Sequence, residues 1–248
     1  MPSVLVTGSN RNLGLAFVRQ YAREGWRVFA TCRDLEKSDV FEELAAGAKG
    51  RLTIHHLDVT RPESIDALAH DLRGEAIDVL INNASIPGQQ REAPFGETDY
   101  SEWEAIMRTN AFGAFRVAEA FIENVAASER KTIAAVSSRT GAKPTYFMVP
   151  YRISKAALNQ VVSQIAFATE PRGVISVALH PGWVQNDVSG KRATLTPDES
   201  AAMLTKVIAN LTIKDTGKFF EPDGTELPLV TRQFEEKPYS MPLGRHTG

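Results

Sequence analysis

The stretch from Ser3 to Gly25 reads S-V-L-V-T-G-S-N-R-N-L-G-L-A-F-V-R-Q-Y-A-R-E-G. Its first five residues form a short apolar run that is typical of a buried strand. A loop containing Gly8 and Gly14 follows. Apolar residues at 13, 17, 18 and 21 then recur with helical spacing, and Gly25 is placed to end that helix. The stretch therefore predicts a strand, a glycine-containing loop and a helix.

A glycine loop between a strand and a helix is the setting in which proteins bind a dinucleotide. Glycine lets the backbone approach a pyrophosphate, which then lies at the helix N-terminus among free N–H groups. A loose glycine pattern also fits an ordinary tight turn. The flanking strand and helix favour the cofactor interpretation.

Apolar runs and helical periodicities alternate along the rest of the chain. Strands are predicted at 26–31, 52–57, 77–81, 131–138, 173–179 and 217–220, and helices at 41–46, 62–72, 100–125, from 151 onward and 197–211. This alternation predicts a single α/β domain over 1–248, with a Rossmann-type doubly wound parallel sheet of about seven strands and helices on both faces. Residues 185–211 are expected to form a substrate loop, and 232–248 an irregular tail.

Composition limits the classes of function. The 248 residues carry a net charge of −2 with scattered Lys and Arg, so we expect no binding to nucleic acid or anionic lipid. No apolar run approaches the roughly 20 residues that span a bilayer. Cys32 is the single cysteine, which fits a reducing compartment. No signal peptide is evident before Val4. The sequence therefore predicts a soluble, cytoplasmic protein, and we expect no bound metal.

Small and polar residues collect where the predicted strands end. In a doubly wound sheet, ligands lie outside the carboxyl ends of the strands. The segments at these ends are Thr7–Gly14, Arg33, Asp58, Asn82–Ser85, Ser138 and His180–Val184. Their convergence predicts one binding cleft. His180 is either a base or, as we expect, a residue that caps its strand.

Two arginines bear on the choice of cofactor. Arg33 follows the second strand, where the adenosine ribose is read, and Arg11 lies in the glycine loop. Guanidinium groups bind a 2′-phosphate bidentately, so the pair favours NADP(H). Asp34 is the kind of residue that reads a free 2′-hydroxyl, which leaves NAD(H) possible. The other alternative is that both arginines are solvated.

Tyr151 and Lys155 stand four residues apart on a predicted helix, so both side chains lie on one face. A phenol holds its proton to about pH 10, and a nearby ammonium lowers that pKa. Such a tyrosine can act as a general acid or base. Ser138 ends the preceding strand, where it can hold a substrate oxygen. The same spacing also occurs by chance in many helices.

The sequence resembles the short-chain dehydrogenase/reductase family over nearly its whole length. The resemblance rests on the motif TGxxxGxG at Thr7, Gly8 and Gly14, the motif NNAG at Asn82, Asn83 and Ala84, and the tetrad Asn110, Ser138, Tyr151 and Lys155. Segments such as H-P-G-W-V-Q and L-T-P-D-E-S resemble the branch that contains the C-factor and sniffer-type carbonyl reductases.

The resemblance implies a carbonyl–alcohol oxidoreductase. Ser138 would polarise the substrate oxygen, and Tyr151 would protonate it as hydride arrives. Lys155 would lower the Tyr151 pKa and bind the nicotinamide ribose, and Asn110 would hold a water in a proton relay. Cofactor contacts are expected from Gly8, Asn10, Arg11, Asn12, Leu13, Gly14, Arg33, Asp58, Val59, Asn83, Ala84, Ser85, Tyr151, Lys155, Pro181, Gly182, Val184 and Asn186. Ser137 is expected to face away from the site.

Three positions depart from the family pattern. Asn12 and Ser85 stand where glycine is usual, and Asn186 stands where the branch usually has threonine. Asn tolerates left-handed backbone better than other non-glycine residues, so Asn12 can keep the loop shape. The altered glycine motif leaves open a nucleotide-binding regulator without turnover. An epimerase or dehydratase that uses the same site is a further alternative.

The substrate pocket is expected from 86–98, 139–150 and 185–195. Its aromatic and apolar members are Phe95, Tyr146, Phe147, Met148 and Trp183, which predict a hydrophobic or aromatic ketone or aldehyde, unless these residues pack against the protein itself. The family often pairs through the helices at 100–125 and 151–170, so a homodimer or homotetramer is expected. Phe112, Phe115, Phe121, Val161, Val162 and Phe167 serve either that interface or the core.

Overall fold

The computed structural model describes residues 1–37, 39–48, 50–89, 96–142, 147–186 and 189–229. The predicted tail at 232–248 and two predicted pocket residues, Phe95 and Tyr146, lie outside the described residues. Of the predicted substrate pocket, residues 90–95, 143–146 and 187–188 lie outside the described residues.

Strands and helices alternate as the sequence predicts. The strands are β1 (Ser3–Val6), β2 (Arg27–Cys32), β3 (Leu52–His56), β4 (Val79–Asn82), β5 (Thr132–Val136), β6 (Ile175–Leu179), β7 (Phe219–Phe220) and β8 (Glu226–Leu227). The helices are α1 (Asn12–Arg23), α2 (Glu42–Gly47), α3 (Pro62–Asp71), α4 (Tyr100–Met107), α5 (Gly113–Ala126), α6 (Val149–Thr169) and α7 (Pro197–Ala209).

The strands form one sheet in the order β3-β2-β1-β4-β5-β6-β7-β8. All neighbouring pairs are parallel except β7 and β8. The doubly wound α/β fold is therefore confirmed. The expectation of about seven parallel strands missed β8, a two-residue antiparallel strand that is too short to show an apolar period.

Alternate residues along each strand feed two cores. Val4 and Val6 of β1 pack with α1 and α7, whereas Leu5 packs with α3, α5 and α6 on the other face. Successive side chains of a strand point to opposite faces, so a parallel sheet covered on both sides needs apolar residues throughout. This explains why the strands of this chain are continuous apolar runs.

The predicted long helix at 100–125 is interrupted. A single π turn at Arg108–Phe112 separates α4 from α5, in the place where Asn110 and Gly113 predicted an irregularity. A Cβ on Gly113 would lie 2.8 Å from the Val59 carbonyl oxygen. Gly113 therefore allows a close helix contact, as predicted.

Several predicted helix ends are confirmed. Gly25 follows α1 with φ 81°, and Pro150 lies in the first turn of α6. Thr196 and Glu199 form a reciprocal capping box at the start of α7. Of the described helices, none is long and apolar enough to cross a membrane.

Candidate active site

A cleft of about 690 Å³ opens at the carboxyl ends of the parallel strands. It lies where β1 and β4 are neighbours, which is the point where the strand order reverses. The predicted residues on its wall are Gly8, Asn10, Arg11, Asn12, Leu13, Gly14, Arg33, Asp58, Val59, Asn83, Ala84, Ser85, Tyr151, Lys155, Pro181, Val184 and Asn186. The wall also contains Asp34, the alternative reader of the ribose, and Ile86 and Pro87 of the predicted substrate pocket. The wall residues that were not predicted are Leu57, Thr60, Thr109, Val136 and Ser137.

Gly8, Asn12 and Gly14 determine the shape of the glycine loop, the first two by their backbone angles and the third by a close contact. Gly8 has φ 63°, and Asn12, the first residue of α1, has φ 46°. Asn12 thus takes the left-handed conformation that its position requires, as predicted. A Cβ on Gly14 would lie 2.3 Å from the Gly8 carbonyl oxygen. The loop therefore folds back on itself and keeps the start of α1 open to a ligand.

Thr7 and Asn83 join the end of β1 to the segment after β4. Thr7 Oγ1 accepts hydrogen bonds from the backbone N–H groups of Asn83 and Ala84, each at 3.0 Å. Asn83 Nδ2 donates to the carbonyls of Thr7 and Gly8 at 2.9 Å. Asn83 was predicted as a cofactor contact, and its amide also holds the glycine loop.

The two residues after β2 behave differently. Arg33 is exposed at the cleft, whereas Asp34 Oδ1 accepts a hydrogen bond from the Glu36 N–H at 3.1 Å. Burial alone would raise the pKa of Asp58, but hydrogen bonds from Thr60 and the charges of Arg33 and Arg61 outweigh it and hold that pKa below its ordinary value. Arg33 thus lies close enough to Asp58 to act on it.

Ser137 and Ser138 lie side by side after β5. Ser137 Oγ donates to Asn159 Oδ1 at 2.6 Å, under α6. Ser138 Oγ instead accepts a hydrogen bond from Thr140 Oγ1 at 2.8 Å and interacts with Tyr151. The two hydroxyls have separate partners, as predicted. The expectation that Ser137 lies away from the cleft is wrong, since it contributes to the wall while its hydroxyl binds Asn159.

Tyr151 and Lys155 share a face of α6. Lys155 Nζ lies 5.5 Å from the centre of the Tyr151 ring and donates to the Val136 carbonyl at 2.9 Å. Lys155 is only 2% exposed, and burial lowers its pKa to about 7. Burial raises the pKa of Tyr151 to about 12, opposed by a hydrogen bond with Ser138 and by the charge of Arg152.

The predicted effect of Lys155 on the Tyr151 pKa stays a prediction. The spacing of the pair is confirmed, but the ammonium points toward the end of β5. Arg152 is the cation that lowers the Tyr151 pKa, and sequence reasoning missed it. Burial, which dominates both pKa values, is invisible in an i, i+4 pattern.

Asn110 lies in the π turn and is buried. Its Nδ2 donates to the Ile86 carbonyl and to Ser154 Oγ, and its Oδ1 accepts from the Ile86 N–H at 2.8 Å. These bonds fix the chain just beyond Ser85. These hydrogen bonds give Asn110 a structural role. Its role in a proton relay stays a prediction.

The segment after β6 forms the opposite wall. A Cβ on Gly182 would lie 2.6 Å from Leu195 Cδ1, and Gly182 is not part of the cleft wall, unlike its neighbour Pro181. Gly182 thus packs against Leu195, and its predicted cofactor contact stays a prediction. Asn186 lines the cleft, and its Oδ1 accepts a hydrogen bond from the Ser189 N–H at 2.9 Å.

His180 ties β6 to β7, because its backbone N–H donates to the Phe220 carbonyl at 2.7 Å. Burial lowers the pKa of its ring to about 4, with Glu221 opposing the shift and Arg139 adding to it. The imidazole is therefore neutral at physiological pH. Since His180 does not line the cleft, the strand-capping interpretation is the one that fits.

Three predicted pocket residues lie next to elements of the site. Trp183 is 54% exposed and Phe147 is 39% exposed, and Met148 precedes α6 with φ 53°. Backbone hydrogen bonds from Gln185 to Leu195 and from Leu195 to Trp183 join the two ends of the loop at 183–195. That these side chains contact a substrate stays a prediction.

Comparison with known proteins decides the family. Residues 2–195 match the family model of the short chain dehydrogenases. The chain belongs to the short-chain dehydrogenase family. It is therefore an oxidoreductase of the class that acts on CH–OH or C=O groups, as the sequence predicted.

Individual members of the short-chain dehydrogenase family agree with this assignment. The C-signal protein of Myxococcus xanthus is 37% identical over 155 residues, covering 61% of this chain and 92% of that protein. The carbonyl reductase Sniffer of D. melanogaster is 30% identical with a TM-score of 0.83, covering 92% and 99% of the two chains. A NADPH-bound carbonyl reductase from chicken fatty liver is 31% identical with a TM-score of 0.82, covering 92% and 98%.

Proposed function

We propose that this protein is an NADP(H)-dependent reductase that interconverts a carbonyl and an alcohol. The observation that carries the proposal is that Tyr151 and Lys155 lie on the cleft wall and that the hydroxyl of Ser138, which is not itself part of that wall, hydrogen-bonds to Tyr151. A protein that only sensed the cofactor would have no need of this trio. The likeness to carbonyl reductases in fold and sequence supports the same reaction class.

The residues of the cleft fit such a cofactor. Gly8 and Gly14 let the glycine loop pack closely on Ala84 and on itself, which places the N-terminus of α1 at the cleft, where a pyrophosphate would lie. Arg11 and Arg33 supply cations for a 2′-phosphate, and Asp58 and Val59 lie on the wall where the adenine is expected. We infer that Asn12 donates a hydrogen bond to a phosphate oxygen.

Bound NADPH supplies the hydride from its nicotinamide ring. Ser138 holds the substrate oxygen and Tyr151 stands beside it as the proton donor. As the carbonyl carbon gains the hydride, its oxygen takes the Tyr151 proton, which leaves an alcohol and a phenolate. A proton from solvent then enters the site and restores the phenol of Tyr151. Lys155, whose Nζ lies 5.5 Å from the centre of the Tyr151 ring, stabilises that phenolate by its charge when it is protonated.

The proposal is tested by a screen of aromatic and aliphatic aldehydes and ketones with the purified protein and NADPH. We expect loss of NADPH absorbance in step with formation of the alcohol. An epimerase or dehydratase would change the substrate without net NADPH consumption. Tight NADPH binding with no turnover of any carbonyl would favour the regulator instead.

Cofactor preference should depend on Arg11 and Arg33. Charge-assisted hydrogen bonds contribute about 1.5–3 kcal/mol, so replacing either arginine with alanine should weaken NADPH binding about tenfold or more. NADH binding should stay unchanged, and Asp34→Asn serves as the matched control, with NADPH affinity preserved. Fluorescence titration measures each affinity. Tighter binding of NADH than NADPH by the wild type would assign the ribose to Asp34 and overturn the preference.

We propose that a second copy of the chain covers the aromatic face of α5 and α6. Phe167 is 80% exposed on α6, Phe112 is 62% exposed in the π turn, and Phe115 is 37% exposed on α5. Phe121 and Val162, which were candidates for this face, are instead buried in the core.

The wild type should elute as a dimer or tetramer in size-exclusion chromatography and Phe167→Glu as a smaller species. Ile213→Glu, at an exposed site elsewhere, should leave the size unchanged; a monomeric wild type contradicts the proposal.

The proposed substrate class rests on two exposed aromatic side chains. The exposed faces of Trp183 and Phe147 support a hydrophobic or aromatic carbonyl compound, and this part of the proposal is decided by the same screen. The cytoplasmic location and the single-domain boundary at 248 stay predictions of the sequence.

A further inference from the structure

Arg152 bonds to both arms of the segment that links β5 to α6. Its Nε donates to the Phe147 carbonyl at 2.6 Å, and its Nη1 donates to the Thr140 carbonyl at 3.3 Å. Phe147 lies just before α6, whereas Thr140 lies in the turn after Ser138. A guanidinium presents several donors in a rigid plane, so one side chain can hold two carbonyls at a fixed separation.

Thr140 connects this contact to the hydroxyl of Ser138. The Thr140 hydroxyl and backbone N–H donate to Ser138 Oγ at 2.8 Å and 3.2 Å. The next residue, Gly141, packs on α6 so closely that a Cβ would lie 2.7 Å from the Ala156 nitrogen. The turn at Arg139–Ala142 therefore rests on the backbone of α6 and is held there by Arg152.

The same guanidinium sets the charge beside Tyr151. The described groups that act on the phenol are Ser138, through a hydrogen bond, and the cations of Lys155 and Arg152. Lys155 Nζ is turned to the Val136 carbonyl. Arg152 is the cation whose charge opposes the effect of burial on the Tyr151 pKa.

We propose that Arg152 is a positioning residue of the active site, which holds Ser138 opposite Tyr151 through Thr140 and supplies the positive charge next to the phenol. This inference rests on the proposed function, because Ser138 and Tyr151 are its reacting groups. Arg152 acts without touching the substrate. Lysine at this position keeps the charge but cannot bridge both carbonyls, whereas methionine removes charge and bridge together.

The test compares the wild type with Arg152→Lys and Arg152→Met, each labelled with carbon-13 at tyrosine Cζ. The Tyr151 signal is the one missing in Tyr151→Phe. In Arg152→Met this signal should titrate at higher pH than in the wild type, and kcat should fall on the order of tenfold while the KM for NADPH stays constant. Arg152→Lys should lose kcat and should titrate between the wild type and Arg152→Met, because lysine keeps the charge but no longer holds Ser138 for its hydrogen bond. Arg116→Met, an exposed arginine paired with Asp66, should change neither.

A second measurement separates positioning from folding. Ser138→Ala should shift the Tyr151 titration upward in the wild type but little in Arg152→Met, because Ser138 is no longer held there. This double-mutant cycle needs no enzymatic turnover, so it tests whether Arg152 positions Ser138 even if no carbonyl substrate is reduced. An unchanged Tyr151 titration in Arg152→Met, or equal effects of Ser138→Ala in both backgrounds, would overturn the proposal. Circular dichroism confirms that each variant is folded.

Discussion

Tyr151→Phe should lower kcat for carbonyl reduction by about 10²–10⁴-fold, the range of a lost general acid. The substitution removes one oxygen and keeps the ring that packs on α6. NADPH affinity should be nearly unchanged, because the glycine loop and the arginines that bind the phosphates lie elsewhere in the cleft. A large fall in kcat with constant cofactor binding therefore isolates the proton transfer.

The matched control is Tyr100→Phe. Tyr100 is 70% exposed and stacks on Trp103, so loss of its hydroxyl should alter neither kcat nor stability. Stopped-flow measurement of NADPH oxidation gives the rate of the first turnover, and fluorescence titration gives the affinity. If Tyr151→Phe retained more than about a tenth of the wild-type rate, another group or water would be the proton donor, and the role of Tyr151 would be wrong.

The positions of the catalytic candidates were predictable because they depend on local spacing. A separation of four positions places Tyr151 and Lys155 on one helix face whatever the rest of the chain does. The rule that ligands bind at the carboxyl ends of parallel strands likewise predicted that segments such as Thr7–Gly14 and Asn82–Ser85 lie together, since these strand ends share one edge of the sheet. These are consequences of period and topology, which the sequence carries directly.

The energetics of the site were not predictable in the same way. The pKa values of Tyr151 and Lys155 are dominated by burial, which arises only when the chain folds. The contacts of Arg152 were missed because they are made with two carbonyls, at Thr140 and Phe147, whose approach is a result of folding. The packing of Gly182 against Leu195 was likewise not visible in its motif.

The second large effect is expected at Gly14. In Gly14→Ala the new methyl group would lie 2.3 Å from the Gly8 carbonyl oxygen, 2.6 Å from Asn83 Nδ2 and 2.9 Å from Ser9 Cα. Two of these three atoms belong to the backbone, so a simple rotamer change cannot relieve the contacts. Overpacking typically costs 1–3 kcal/mol, and this crowding should place the cost near about 3 kcal/mol.

The higher helix propensity of alanine should stabilise α1, whereas the crowding should destabilise the fold. The stability of Gly14→Ala therefore shows which of the two effects is larger. Gly14 is the third residue of α1, where alanine alone would stabilise the helix by about 1 kcal/mol. The steric cost should exceed that gain, because the methyl group must push the glycine loop away from α1. That movement displaces the N–H groups that face the pyrophosphate. NADPH affinity should therefore fall by at least about tenfold, with a lower Tm.

Gly47→Ala is the matched control. Gly47 is the last residue of α2, also lies in helical backbone, and a Cβ there meets no atom within 4 Å. Its replacement should leave Tm and NADPH affinity unchanged or slightly raise Tm. Thermal unfolding with and without NADPH separates the two effects of Gly14→Ala, since a ligand raises Tm only as far as it binds. If Gly14→Ala kept the wild-type Tm and the same rise with NADPH, the glycine loop would be more compliant than its contacts imply, and its part in binding the cofactor would have to be reassigned.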